Sequence, residues 1–464
     1  MFINREAELD QLEQLYRAQA AQLFILYGRR RVGKTELLHS FCADKSHIFF
    51  VATLSSDASQ LATFSQAIWR FRHGEVAEGF TFPSWEAAFQ ALATLPGRPV
   101  VILDEITYLI QGNRSIPSIL QKVWDERLRN TQIFLVLCGS YVGIIEREIL
   151  NYRAPLYGRR TGANYLNPLH VPAAAAFFPG YSAIEQIEAW AVLGGMPYYL
   201  HIFSDQQDIF ANILQHILSS QGTLHNEPYL LLMEELREPR NYFSILRAIA
   251  EGHTRLNEIV QAAGVGDGRK VARYLDILRQ MNVVDREVPV TERQPEKSRR
   301  GIYQLQDAFL RFWFRFVHPN QGSLGLGLGS SILEQRVRPG FDQYVGFAFE
   351  DAAQEYLARL ALHNQLPFLP ERIGRWWQAD EEIDVVAIND TERALLVGEC
   401  KWTARPVCTN ILTDLQRKAR KLMGDDPWTQ ITYAIFAKSG FTPALRDIAT
   451  EQDVLLVEPS QMVG

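Results

Sequence analysis

The first third of the chain alternates short apolar runs with amphipathic stretches. Short apolar runs cover residues 23–27, 47–51, 99–103 and 133–138, and helical spacing is visible in residues 6–18 and 35–41. Strands that alternate with helices are typical of a parallel sheet covered on both faces. We therefore predict an α/β domain over residues 1–170.

The pattern changes after this domain. Residues 171–238 have helical periodicity, interrupted by Gly194–Pro197. Residues 239–320 predict three helices and then two strands with a charged tip, which is the order of a winged helix-turn-helix. After them, Phe309, Phe312, Trp313 and Phe316 share one helix face, which favours a core position over a base-stacking platform.

The last segment, residues 321–464, predicts a separate small α/β domain. It opens with the glycine-rich stretch Gly322–Gly329, which predicts a mobile loop or linker. From residue 340 onward the pattern predicts helix, strand, strand, helix, strand, helix, strand. The whole chain is therefore expected to be a multidomain α/β protein.

Composition narrows the class of protein. A chain of 464 residues is too long for one core, and its net charge of −6 means that binding to nucleic acid requires a local basic patch. The four cysteines lack the spacing of disulfide frameworks or metal sites, which favours a reducing compartment. The apolar runs are far below bilayer length, and the charged first residues do not resemble a signal peptide. We expect a cytoplasmic protein without a membrane partner.

A phosphate-binding pattern follows the first predicted strand. Residues 28–35 satisfy G-x-x-x-x-G-K-[ST] at every fixed position. Glycines allow the loop to turn its backbone N–H groups toward phosphate oxygens, and the next helix adds the positive end of its dipole. Lys34 supplies a charge for the β- and γ-phosphates, and the Thr35 hydroxyl suits Mg²⁺. The residues predicted to bind ATP here are Gly28, Arg29, Arg30, Arg31, Val32, Gly33, Lys34, Thr35 and Glu36.

Acidic and polar residues end the next two apolar runs. Asp104 follows residues 100–103 and is predicted to hold Mg²⁺ through water, while Glu105 is predicted to be the general base for the attacking water. Ser140 could sense the γ-phosphate, or it could be an ordinary strand-end serine. Arg159 or Arg160 could neutralise transition-state charge, with a surface or salt-bridged arginine as the alternative.

A second candidate site lies near the C-terminus. Asp384 belongs to one predicted strand, and Glu399 and Lys401 lie on one face of the next. A hairpin between these strands would bring Asp384 to Glu399, and Glu350 on the preceding helix could add a carboxylate. Such carboxylates could hold Mg²⁺ or Mn²⁺, with Lys401 orienting a water or stabilising a phosphate. The alternative is an ion-pair cluster.

Basic residues mark a possible DNA-binding surface. They lie at the start of the third helix of residues 239–320 and at the tip between its two strands: Arg269, Lys270, Arg273, Arg299 and Arg300. These side chains could contact DNA phosphates. A winged helix can also be a linker or a protein-docking module.

Taken together, these motifs resemble those of the archaeal-type ATPases, an AAA+-related, STAND-like group of P-loop proteins. The likeness is to the subset with a C-terminal restriction-endonuclease-like domain of the PD-(D/E)xK type. The stretches that carry it are Phe2–Glu6, Tyr27–Thr35, Leu103–Glu105, Leu156–Arg160, Gly194–Leu200, Tyr303–Asp307, Phe312–Phe316, Phe349–Glu350, Glu382–Asp384 and Gly398–Trp402.

The resemblance implies an architecture and two further binding residues. The strands that carry the P-loop and the Asp-Glu pair are expected to be neighbours, followed by a helical lid, a winged helix and a nuclease-like core. Arg5 is implied to lie beside the adenine, and Pro197 to pack near the base. We expect an ATPase whose nucleotide state controls a C-terminal domain that cuts or grips DNA. The alternatives are a signalling switch and a DNA-binding regulator.

Overall fold

The structure, a computed structural model, describes residues 4–75, 79–236, 238–424 and 428–464. Phe2 and Ile3, which open the family likeness, lie outside these residues. The chain divides into two compact units, residues 1–168 and 169–464, and each is described by itself below. The boundaries predicted at residues 238 and 320 remain predictions.

The first unit is a parallel sheet with helices between its strands. Its strands are β1 (Gln22–Tyr27), β2 (His47–Val51), β3 (Val100–Asp104), β4 (Phe134–Gly139) and β5 (Gly162–Tyr165). Its helices are α1 (Glu6–Arg17), α2 (Lys34–Cys42), α3 (Asp57–His73), α4 (Trp85–Leu92), α5 (Ile106–Gly112), α6 (Ile116–Glu126) and α7 (Val142–Ile145). Two single-turn segments, Leu128–Asn130 and Glu146–Leu150, complete its helical structure.

The strand order of this sheet is β2-β3-β4-β1-β5, and every pairing is parallel. The expectation that the P-loop strand and the Asp-Glu strand are neighbours is therefore wrong, because β4 lies between β1 and β3. All residues of β3 and β4 are buried, so both can occupy the middle of the sheet. The interposed β4 brings its own C-terminal end between the two motifs.

The second unit has a helical part and two antiparallel or mixed sheets. Its first helices are α8 (Val171–Ala175), α9 (Ala183–Leu193), α10 (Pro197–Leu200), α11 (Ile209–Ile213), α12 (Glu227–Glu235), α13 (Pro239–Ala250), α14 (Leu256–Ala263) and α15 (Gly268–Gln280). The strands β6 (Val284–Glu287) and β7 (Ile302–Leu305) form an antiparallel pair. Then follow α16 (Ala308–Phe312), α17 (Gln321–Gly325), α18 (Gly329–Ile332) and α19 (Arg338–Leu362).

The remaining elements form the C-terminal sheet and its helices. They are β8 (Arg372–Gln378), β9 (Glu381–Asn389), β10 (Ala394–Lys401), α20 (Thr409–Met423), β11 (Gln430–Ala437), α21 (Pro443–Gln452), β12 (Leu455–Val457) and α22 (Pro459–Val463). The strand order is β12-β11-β10-β9-β8. β8, β9 and β10 pair antiparallel, and β10, β11 and β12 pair parallel. This mixed sheet carries the second candidate site.

Two elements of the second unit differ from the sequence predictions. Residues 322–329, predicted as a mobile loop or linker, contain most of α17 and the first residue of α18, and Leu324 in α17 is buried. The edge strand β8 was missed, because most of its residues are only partly buried and no apolar run marks it. Phe309, Phe312, Trp313 and Phe316 are core residues as predicted.

The loop between β6 and β7 packs into the core of the C-terminal sheet, which was predicted to be a separate domain. Val290 in this loop is buried in one apolar cluster with Trp376, Val386 and Leu395. Its backbone N–H donates to the carbonyl of Arg375 at 2.8 Å. The hairpin and the sheet therefore share part of one core.

Gly28, the first residue of the phosphate loop, cannot accept a side chain without local rearrangement. Its φ is +153°, and a Cβ there would lie 2.5 Å from the carbonyl oxygen of Leu166. Gly97 is a matched control, because its φ is +67° but a Cβ there would meet nothing within 4 Å. We expect Gly28→Ala to lower the free energy of unfolding by about 3 kcal/mol, and Gly97→Ala by roughly 1 kcal/mol.

Urea denaturation of the full chain, followed by circular dichroism, measures both changes. Equal losses in the two variants would mean that the contact with Leu166 imposes no constraint on the loop.

Candidate nucleotide site and C-terminal carboxylate cluster

The phosphate loop lies between β1 and α2, as the motif requires. Gly33 precedes α2 with a φ of +96°, and Arg31 also has a positive φ of +68°. One Arg5 amino group, Nη2, donates to the carbonyl oxygen of Val32 at 3.2 Å and to that of Asn167 at 2.7 Å. Arg5 therefore holds the loop against the segment that follows β5. Its contact with an adenine remains a prediction.

Lys34 and Thr35 occupy the start of α2. Lys34 is 5 % exposed, and its Nζ donates to the carbonyl oxygens of Gly28 at 2.8 Å and Arg29 at 2.9 Å. The ammonium group thus lies inside the curve of the loop, where phosphates would be bound. The Thr35 hydroxyl donates to Oδ2 of Asp104 at 2.9 Å. The two oxygen groups predicted to serve Mg²⁺ are therefore in direct contact across the sheet edge.

Glu105 and Ser140 form the other half of the site. Asp104 Oδ1 accepts from the backbone N–H of Glu105 at 2.9 Å, and Glu105 has a φ of +52°. The Ser140 hydroxyl donates to Oε1 of Glu105, and the Ser140 backbone N–H donates to Oε2 at 3.2 Å. Both oxygens of the predicted base are held by the residue that directly follows β4. This contact exists because β4 lies beside β3.

The two predicted finger arginines have different surroundings. Arg159 forms a two-pronged ion pair with Asp125, through Nε to Oδ1 at 3.0 Å and Nη2 to Oδ2 at 2.8 Å. Its Nη1 donates to the carbonyl oxygens of Pro155 and Tyr157. This is the salt-bridged alternative. Arg160 is exposed. Burial raises the pKa of Tyr27, the residue before the loop, and the positive charge of Arg160 partly offsets that rise, so Arg160 lies near the start of the loop.

The remaining predicted nucleotide-binding residues are less closely tied to this geometry. Val32 is buried, Arg29 is 2 % exposed, and Glu36 is exposed in the first turn of α2. Pro197 is the first residue of α10 in the second unit. Roles for Glu36 and Pro197 at the nucleotide stay predictions.

Three side chains beside this site were not predicted from the sequence, and they are Cys138, Tyr108 and Tyr141. Cys138 on β4 is fully buried, and burial together with the charge of Asp104 raises the pKa of its thiol. Arg30 in the loop hydrogen-bonds the Tyr108 hydroxyl and lies over the ring of Tyr141. The sequence signal that could have found the two tyrosines is proximity, because Tyr108 closely follows Glu105 and Tyr141 directly follows Ser140.

At the C-terminal site, β9 and β10 form the predicted hairpin. Val385 is paired with Gly398, and the same register continued by one residue puts Asp384 opposite Glu399. Both carboxylates are buried, at 7 % and 6 % exposure. Asp384 Oδ2 accepts from the backbone N–H of Cys400 at 2.8 Å. Opposite residues of antiparallel strands lie on the same face, so the predicted convergence of these acids is present.

Basic side chains contact the carboxylates of this cluster. Lys401 Nζ lies 2.7 Å from Glu399 Oε1, and Lys418 Nζ from α20 lies 3.0 Å from Glu399 Oε2. Arg375 Nε from β8 lies 3.0 Å from Glu350 Oε2. Lys418 and Arg375 were not predicted, because neither belongs to the short acidic motif. The contacts match the ion-pair cluster that the sequence left as the alternative.

Burial dominates the electrostatics of these acids. Burial, and then the negative charge of Asp384, raise the pKa of Glu350 to about 8, with Arg375 acting in the opposite direction. Burial, and then the charge of Glu399, raise the pKa of Asp384 to about 6. Among the described residues, no group of three or more His, Cys, Asp or Glu is arranged to hold a metal ion. A metal-binding role for Glu350, Asp384 and Glu399 stays a prediction.

The predicted DNA-contacting residues divide into two groups. Arg269, Lys270 and Arg273 are exposed on α15, whose opposite face is buried. Arg300, in contrast, donates to the Trp377 carbonyl of β8 and pairs with Glu292 at 3.3 Å. Arg300 is therefore engaged at the sheet edge, and Arg299 beside it is exposed.

Comparison with known proteins covers most of the chain. Residues 2–203 match the family described as an ATPase domain predominantly from Archaea, and residues 313–419 match DUF234, described as Archaea bacterial proteins of unknown function. An uncharacterized protein of Methanocaldococcus jannaschii is 33% identical over 445 residues, which are 94% of this chain and 96% of that protein.

Two further similar proteins have names that refer to ATP. An uncharacterized ATP-binding protein of Methanocaldococcus jannaschii is 53% identical over 45 residues, which are 10% of this chain and 76% of that protein. A Walker-type ATPase of Pyrococcus abyssi has a similar fold, with a TM-score of 0.51 and 23% identity over 68% of this chain and 96% of that one.

In the part of the chain that the structure describes, no helix has both the length and the apolar character needed to cross a bilayer. The first unit has the parallel-sheet fold of P-loop ATPases, and the second carries a separate C-terminal mixed sheet. The chain belongs to the family of the full-length Methanocaldococcus jannaschii relative, and it joins an ATPase domain of the predominantly archaeal type to a C-terminal DUF234 domain.

Proposed function

We propose that this protein binds ATP with Mg²⁺ and hydrolyses it. The observation that carries the proposal is the convergence of two contacts at the ends of β1, β3 and β4. Thr35 bonds Asp104, and Ser140 bonds Glu105. A hydroxyl and a carboxylate together are the hard oxygen donors that Mg²⁺ prefers, so these residues fit the ion.

The residues divide the work of hydrolysis among them. Lys34 exchanges its two loop carbonyls for phosphate oxygens when the nucleotide binds. Thr35 and Asp104 would hold the shell of Mg²⁺, which would neutralise charge on the phosphates. Glu105 takes a proton from the attacking water, and Ser140 orients the carboxylate of Glu105.

A cytoplasmic location belongs to this proposal, because the four cysteines are free.

The second part of the proposal concerns what the nucleotide controls. The order α13, α14, α15, β6, β7 supports a winged helix, and the exposed Arg269, Lys270 and Arg273 support contacts with DNA phosphates. The buried pair Asp384 and Glu399, with Lys401 beside it, supports a PD-(D/E)xK-type nuclease core. A STAND-type switch or a DNA-binding regulator without cleavage is the competing outcome.

The nucleotide proposal predicts separate losses in two variants. Lys34→Ala should lower ATP affinity at least about 100-fold, because it removes the charge inside the loop. Glu105→Gln should bind ATP with an affinity close to that of wild type and hydrolyse it about 100-fold more slowly, because the amide cannot accept the proton. Calorimetry with ATP and Mg²⁺ measures binding, and phosphate release measures turnover.

The control for these variants is Glu392→Gln, an exposed acid in the β9–β10 loop. Full hydrolysis in Glu105→Gln would remove that residue from the role of base.

The nuclease proposal predicts cleavage that depends on the C-terminal acids. Wild-type protein with Mn²⁺ or Mg²⁺ should nick DNA, and Asp384→Ala should abolish nicking while ATP turnover persists. The two sites use different residues, so the activities should separate. A gel assay with supercoiled plasmid measures nicking. Reactions with and without ATP show whether the nucleotide controls it. Absence of any DNA or RNA cleavage by wild-type protein with either metal would favour the switch.

The raised pKa of Glu350 predicts a pH-dependent stability. The folded state holds a proton on Glu350 between about pH 4.5 and 8 that the unfolded state releases, so stability falls as pH rises through this range. Glu350→Gln lacks this proton, and its melting temperature should fall by about 5 °C less than that of wild type between about pH 5 and 8. Differential scanning calorimetry measures the difference. Glu392→Gln should follow the wild-type profile, and parallel profiles for Glu350→Gln and wild type would contradict the assignment.

A further inference from the structure

The phosphate loop contains an arginine that points at the catalytic edge of the sheet. Arg30 is the third residue of the motif, and its Nη2 hydrogen-bonds the hydroxyl of Tyr108. Its guanidinium carbon lies 5.6 Å from the centre of the Tyr141 ring. The two tyrosine rings are themselves 5.9 Å apart at an angle of 72°. Arg30 is therefore held by two aromatic residues from different elements.

These tyrosines belong to the segments that carry the predicted base and its partner. Tyr108 is in the first turn of α5, and its N–H donates to the carbonyl oxygen of Glu105 at 2.9 Å. Tyr141 directly follows Ser140, whose side chain binds Glu105. Arg30 of the phosphate loop thus contacts both of the segments that carry Glu105 and Ser140.

The terminal phosphate of a bound nucleotide must lie near Glu105. The loop holds the phosphate chain, and the attacking water must contact both Glu105 and the γ-phosphorus. Charge that develops on the transferred phosphoryl group requires a positive group nearby. Arg159 donates both prongs of its guanidinium to Asp125, so it does not supply this charge in the arrangement described. Arg30 comes from the loop itself.

We propose that Arg30 binds the γ-phosphate and stabilises the transition state of hydrolysis, and that Tyr108 and Tyr141 hold it ready when no nucleotide is bound. This inference rests on the proposed ATP hydrolysis. In the reaction, the water oxygen forms a bond to the γ-phosphorus, and the bond to the bridging oxygen of ADP breaks with its electron pair. The water proton passes to Glu105. Arg30 stays protonated and donates two parallel hydrogen bonds to phosphate oxygens.

The experiment compares turnover and nucleotide preference in three variants. Arg30→Met should lower kcat about 100- to 1,000-fold and change KM far less, because the lost contact strengthens in the transition state. It should also weaken binding of a non-hydrolysable ATP analogue about 10-fold while ADP binding changes little, because ADP lacks the γ-phosphate. Arg30→Lys should recover part of kcat, since it keeps a charge without the two-pronged geometry.

Tyr108→Phe separates the chemical role from a structural one. It removes the hydrogen bond to Arg30 but leaves the guanidinium free to reach a phosphate, so the preference for the ATP analogue over ADP should stay within about 3-fold of that of wild type. Arg114→Met, which changes an exposed arginine just beyond α5, is the matched surface control. A loss of this preference in Tyr108→Phe as large as that in Arg30→Met would show that Arg30 only braces the loop, and overturn the proposal.

The outcomes also distinguish this inference from the proposed function. Wild-type turnover together with unchanged kcat in Arg30→Met would overturn only the role of Arg30. If wild-type protein binds nucleotide without hydrolysing it, the proposed ATPase activity fails. The affinities then decide, because loss of preference for the ATP analogue over ADP in Arg30→Met supports γ-phosphate binding, and a retained preference overturns it.

Discussion

The nucleotide site depends on one constraint of the sheet, which is that parallel strands present their carboxyl ends at the same edge. β1, β4 and β3 are consecutive neighbours in space, so the loop after β1, Ser140 after β4 and Glu105 after β3 meet there. No flexible segment is needed to assemble these groups. The contact between Thr35 and Asp104 reaches across the strand between them, and it ties the pair proposed to serve Mg²⁺ to the same edge.

A different constraint governs the C-terminal cluster, where buried acids must be neutralised. Arg375 contacts Glu350, Asp351 and Glu287 at 3.0, 2.8 and 3.2 Å, so one guanidinium joins α19 to the β6 strand. Lys401 and Lys418 both form ion pairs with Glu399. A divalent ion entering this cluster would compete with cations of the chain itself, since the acids cannot bind both at full strength.

The sequence predicted the parts of the fold that short-range patterns encode. The loop at residues 28–35 and the strand ending at Asp104 lie where their apolar runs and fixed motif positions indicated. The place of β4 between β1 and β3 was missed, because strand order depends on long-range pairing that no local pattern records. The contacts of Lys418 and Arg375 with the acids were not predicted for a related reason, since these residues belong to elements outside the acidic motif. The edge strand β8 lacks the apolar run that reveals a buried strand.

Val290 has a consequence for how this family can vary. Its side chain fills the core beside Trp376 and Leu395, while its backbone extends the edge of β8. If residues 321–464 alone were exchanged for those of another protein, the core of the new sheet would contain a cavity, and Val290 would be exposed to water. An exchange that preserves this core must therefore move the β6–β7 hairpin and the C-terminal sheet together.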